Sequence, residues 1–257
     1  AVSGLLDNNP TILKLSPLLQ MVLLGILSIL LVRIFSRRPI TRGDLCYQKD
    51  HLTKTDLIII IAVFVITMLS FAVLSKLGSV TTDVKKEFTA AGFGEGFLSD
   101  FVIIVSSTLL APIVEELVYR GIMLRSIHDG IRRFTPETNS LLSIPVILSI
   151  TYTAIAFIMP HVSYMNIGVI TISYFITSAG FSLVYILTGS MLAAMVSHSL
   201  QSCYTFSVIL VLGHGDYAVS PIVYGISFLC PILVFFLGRI LRGSFTDTSK
   251  CEKELSS

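Results

Sequence analysis

The chain has 257 residues, of which 53% are hydrophobic and only 13% charged, and a formal net charge of +2. Its mean hydropathy of +0.84 sets it apart from soluble globular domains, in which roughly a quarter of the residues are charged. So small a charge does not suggest a nucleic-acid partner, and none is expected; the composition is that of a polytopic membrane protein in contact with lipid.

Apolar runs long enough for a bilayer, roughly 20 residues each, lie at about 17–35, 56–77, 98–124, 141–160, 166–187, 190–212 and 219–241. They predict an all-α membrane bundle of about seven transmembrane helices. No cleavage site of a secretory signal is visible, and the first run is long enough to remain as a span. The polar stretch after it carries Arg37, Arg38, Arg42, Lys49 and Lys54. The 78–97 connection carries Lys85 and Lys86, and its Gly92, Gly94 and Gly96 alternate with Phe93, Glu95 and Phe97. Those glycines lack the strand-to-helix context of a dinucleotide fingerprint and read as a flexible connection dipping into the interface.

Arg125, Arg132 and Arg133 follow the third run, and Arg239, Arg242, Lys250 and Lys253 follow the last. Connections near 161–165 and 213–218 have no Lys or Arg. The positive-inside rule therefore puts the N-terminus outside and the C-terminus in the cytosol. Cys46, Cys203, Cys230 and Cys251 show no metal or disulfide spacing, and the two inside apolar runs read as small packing residues. No internal repeat suggests a transporter built from two halves. No polar segment is large enough for a soluble core. The expected organisation is an N-terminal transmembrane hairpin with loops at 1–97, a functional core at 98–212, and a final helix with a cytosolic tail at 213–257.

Chemistry must then reside in or beside the membrane, where ionisable residues stand out because each costs about 2.5–3.5 kcal/mol at a helix centre. The third run holds Glu115, Glu116 and Arg120. Glu116 and Arg120, four residues apart, share a helix face and are expected to pair. Glu115 points some 140° away from Arg120 on an α-helix, roughly 100° per residue, and is left free to face a cavity. His198 lies in the sixth run. Counted at about 1.5 Å per residue, Glu115 and His198 both lie about 14 Å from the cytosolic face. A straight fourth helix from Leu141 would carry His161 about 30 Å, toward the opposite surface. The 160–166 stretch is therefore expected to be re-entrant, folding back into the interior, as backbone lining a cavity is able to do.

Three motifs occur in order: EExxxR as Glu115, Glu116 and Arg120; FxxxH as Phe157 and His161; and His198 with Ser202 one turn later. With these the chain resembles the CAAX protease and bacteriocin-processing family of glutamate-type intramembrane endopeptidases, which includes the Ras-converting CAAX endopeptidases. The resemblance covers about residues 98–212. It implies peptide-bond hydrolysis inside the bilayer, with Glu115 and the motif histidines His161 and His198 activating water. The chemistry of these residues agrees: His161 can orient the water or shuttle a proton, and His198 with the residue one turn later can donate to the oxyanion. No cofactor or metal is expected. The family's third motif normally ends in Asn or Asp, where this chain has Ser202. Glu116, Arg120, Phe157 and Ser202 are expected as supporting residues, and a protein or peptide as substrate.

Two other readings share the same residues. Glu115, His161 and His198 would make a two-histidine, one-carboxylate zinc set, although no HExxH helix is present. Loss of the third-motif Asn instead fits a non-proteolytic scaffold, immunity or signalling protein on the same fold. The short chain, with little beyond the motifs, suggests a bacterial cell membrane.

Overall fold

The computed structural model describes residues 10–36, 52–77, 88–89, 92–135, 140–164, 168–212 and 220–243. Its long elements are α1 (Pro10–Ser36), α2 (Lys54–Leu77), α3 (Phe97–Arg132), α4 (Ile144–Ile158, extended by a tight turn Met159–Tyr164), α5 (Val169–Thr188), α6 (Met191–Leu212) and α7 (Pro221–Gly243). There is no strand among the described residues, so the expected all-α bundle is the observed one. The basic residues at 37–49, Lys85, Lys86, the 165–167 and 213–218 connections, Cys46, Cys251 and the lysines of the tail lie outside the described residues.

Five of these helices are long and apolar enough to cross a membrane: α2, α3, α4, α5 and α7. Their outward faces carry large exposed apolar side chains, among them Ile58, Ile66 and Leu69 of α2 and Ile222, Phe236 and Ile240 of α7. A contiguous apolar exterior of this kind is soluble only in lipid. Met191, Ala193, Ala194, Met195, Ser199 and His198 of α6 are all buried in protein, which makes α6 the central helix among the described residues.

Local signals explain several boundaries. Thr53 and Asp56 exchange backbone and side-chain bonds of 2.8 and 3.2 Å, a capping box that starts α2. Between α5 and α6 the chain reverses in two residues. Gly189 takes the left-handed conformation at φ 61, which a residue with a Cβ adopts poorly, and the Ser190 hydroxyl accepts from the Ala193 N–H at 3.2 Å to start α6. This tight turn sets Phe181 and His198 at equal depths on adjacent helices.

Three boundaries differ from the sequence expectation. The third helix does not stop at Leu124 but continues to Arg132, about 50 Å in all, because its last two turns are polar and run out of a hydrocarbon core about 30 Å thick. The fourth helix begins at Ile144, after Ser143, rather than at Leu141. Residues 159–164 do not fold back; they tighten into a 3-10 turn continuing α4.

The glycine-rich connection is also anchored rather than flexible. Gly92, Gly94 and Gly96 all have positive φ. Asp100 accepts from the Gly94 N–H at 2.7 Å, and Phe93, 2% exposed, sits in a core with Ile103, Ile104, Phe206 and Val223.

Two segments of α3 widen into π-helical turns, Ser106–Leu110 and Leu117–Leu124, on either side of the two glutamates. Pro112 accounts for the first. It has no N–H to give the carbonyl of Thr108 four residues back, and that oxygen instead takes the Ser199 hydroxyl of α6 at 2.5 Å. The bond pins α3 to α6 one turn from the site. Ser199→Ala is expected to destabilise the protein by about 1 kcal/mol, read as a lower unfolding temperature in detergent; an unchanged temperature removes this role.

Candidate active site

The two glutamates end the short α-helical stretch between the π turns, and both are buried: Glu115 is 8% exposed and Glu116 fully enclosed. Glu116 Oε1 accepts from Arg120 Nη1 at 3.0 Å, the pairing expected from their spacing. The same oxygen lies 2.8 Å from Nδ1 of His198 on α6, a link that helix geometry alone does not reveal. Glu115 Oε2 lies 3.9 Å from Nε2 of the same imidazole. The two glutamates therefore address opposite nitrogens of one ring.

Arg120 is fully buried and touches three further residues. Its Nη2 donates to the backbone carbonyl and the hydroxyl of Ser178 on α5 at 2.6 and 2.7 Å. Its guanidinium carbon lies 5.3 Å from the ring centre of Phe157 and 5.4 Å from that of Phe181, within the range of cation–π attraction. Both phenylalanines also touch His198: Phe181 stacks on it at 4.4 Å and Phe157 meets it edge-on at 5.8 Å. One aromatic pair from α4 and α5 thus holds the Arg120 and His198 planes together. This clamps the ion pair and the imidazole as a unit.

His161 occupies a different place. Its Nδ1 donates to the Phe157 carbonyl at 3.0 Å; a carbonyl only accepts, so Nδ1 carries a proton and Nε2 is the nitrogen left for other partners. The imidazole stacks on Phe157 at 5.4 Å and on Tyr174 of α5 at 5.0 Å. It reaches the cluster through the Phe157 ring, with no polar contact to Glu115 or His198 among the described residues. Ser202 is half-buried one turn after His198. Gln201 turns away, its Oε1 accepting from Thr67 of α2 at 2.9 Å. No cluster of three His, Cys, Asp or Glu side chains able to hold a metal occurs among the described residues. The zinc set considered from the sequence is therefore not assembled.

Sequence reasoning missed Ser178, Phe181 and Tyr174, and the bond between Glu116 and His198. A signal for two of them exists: Ser178 and Phe181 are three residues apart and share a helix face.

The separation of 3.9 Å between Glu115 and His198 exceeds a direct hydrogen bond. A single water at about 2.8 Å from each atom would bridge them at an angle of roughly 90°. A buried carboxylate and an oriented imidazole around such a position can polarise water toward a nearby carbonyl.

A helical bundle with a lipid-facing exterior and a Glu–Arg–His cluster buried at its central helix is an integral membrane protein with an internal polar site. Residues 97–204 match the family described as Rce1-like, type II CAAX prenyl endopeptidase Rce1-like. That segment contains all three motifs, so this part of the chain is similar to the CAAX prenyl endopeptidases. No curated protein and no solved structure matches it.

Proposed function

We propose that this protein is a glutamate-type endopeptidase that hydrolyses a peptide bond in a membrane-associated or prenylated protein or peptide. The observation that carries the reading is the placement of Glu115 Oε2 and His198 Nε2, 3.9 Å apart in a buried site. Glu115 takes a proton from the water as its oxygen adds to the substrate carbonyl. The C–N bond then breaks, and the proton leaves on the amine nitrogen.

His198 keeps its Nδ1 proton and donates it in a hydrogen bond to Glu116, whose carboxylate steadies the ring in its doubly protonated form. Nε2–H then donates to the negative oxygen of the tetrahedral intermediate. Arg120 balances Glu116 in this step. His161, with Nδ1 tied to its own helix, offers Nε2 to shuttle a proton from the far side of Phe157. The reading treats 98–212 as the functional core, framed by 1–97 and 213–257. It also keeps the N-terminus outside and the C-terminus in the cytosol of a bacterial cell.

The test is cleavage of a library of membrane-tethered peptides, with and without a prenyl group, by the purified protein in lipid nanodiscs. Cleavage that persists in a chelator is expected. Folded protein that cuts no member of the library would overturn the reading, and chelator-sensitive cleavage would turn it toward a metal mechanism.

Ser202 favours one competing reading, a non-proteolytic scaffold or immunity protein, because the family's usual amide donor is missing there. If the position does serve the oxyanion, Ser202→Asn is expected to raise the cleavage rate by up to about 10²-fold. An unchanged rate would remove that role. A partner-dependent phenotype that survives Glu115→Ala and His198→Ala would favour the scaffold.

A further inference from the structure

The end of α3 carries a feature that the buried site does not use. Arg132 and Arg133 are exposed, Arg125 is 38% exposed beside Asp129 at 3.8 Å, and Phe134, Leu142 and Leu141 are exposed at 90%, 82% and 45%. The segment lies between two spans, Phe97–Arg132 and Ile144–His161, so it sits at one face of the bilayer. A phenylalanine this bare would be poorly placed in water, since burying its side chain is favourable by roughly the largest amount of any common residue. Beside guanidinium groups it has the composition of an interfacial anchor: apolar side chains enter the headgroup boundary, and the cations stay at phosphate level.

We propose that the end of α3 and the start of the following helix, through Arg132, Arg133, Phe134 and Leu142, form a binding surface for anionic phospholipid headgroups. Phe134 and Leu142 insert below the phosphate plane, and Arg132 and Arg133 bind the phosphates above it. Charge complementarity selects this occupant, because zwitterionic headgroups offer the same apolar depth without the net negative charge. The surface lies outside the Glu–Arg–His cluster, so the inference stands whether or not the protein is a protease.

The chain has no tryptophan, so Phe134→Trp introduces a single indole into the full-length protein. In vesicles of phosphatidylcholine with phosphatidylglycerol, that indole is expected to be quenched by lipids brominated near the headgroup and to be shielded from aqueous iodide. Native mass spectrometry is expected to show preferential retention of phosphatidylglycerol that falls about fivefold for each arginine lost, tested in Arg132→Glu with Arg133→Glu. Lys76→Glu, in the last turn of α2, is expected to leave this retention unchanged. The proposal is overturned by an iodide-accessible indole, by phosphatidylglycerol retention that ignores the charge reversal, or by its displacement with inorganic phosphate.

Discussion

Glu115→Gln is expected to leave the protein folded in the membrane and to lower cleavage by about 10²–10⁴-fold, the usual contribution of a positioned general base. The amide has the same shape as the carboxyl group, so packing around a side chain only 8% exposed is preserved. What disappears is the proton acceptor beside His198 Nε2, 3.9 Å away. Glu115→Asp separates position from chemistry: it keeps the carboxylate but draws it back by one methylene, and an intermediate rate is expected. Rates for the three forms are compared on one peptide in nanodiscs, with unfolding temperature as the check on folding. Full activity in the Gln form would remove Glu115 from the chemistry.

Arg120→Met is expected to have the largest effect on stability. The guanidinium is fully buried and satisfies Glu116 and two oxygens of Ser178 while lying between two phenylalanine rings. Methionine fills much of the space but leaves Glu116 as a buried charge without its cation, a loss of about 3–5 kcal/mol. Arg120→Lys is expected to recover little, because a compact ammonium cannot reproduce a planar fork bonded on two sides and set against two aromatic rings. Combining Arg120→Met with Glu116→Gln removes both charges, and most of the stability is expected to return.

Activity is not expected to return with it, because His198 Nδ1 would then face a neutral amide instead of a carboxylate. Protease resistance and thermal unfolding of the two variants read the stability, and peptide cleavage reads the activity. A double variant as unstable as the single one would show that the ion pair is not the source of the loss.

These two residues mark how far the chain could be read before folding. A bundle of seven long helices, the pairing of Glu116 with Arg120, and the common depth of Glu115 and His198 all follow from hydrophobic run length, 3.6-residue periodicity and a fixed rise per residue. Each of these concerns neighbours on one helix or distance along one helix axis, and local geometry is enough to settle them. The ordered motifs likewise pointed to the family before any contact between helices was known.

Which side chains meet across helices depends instead on rotation about each axis, and no single-helix rule supplies that angle. Two π-helical turns change the rotation of α3 on both sides of its glutamates, and Gly189 fixes how α5 turns back into α6. Those departures bring His198 onto Glu116 and place Phe181 and Ser178 around Arg120. They also leave His161 behind the Phe157 ring, not beside Glu115. Helix periodicity assigned the charges to faces; close packing of four helices selected the partners, because burying a charge without one is costly.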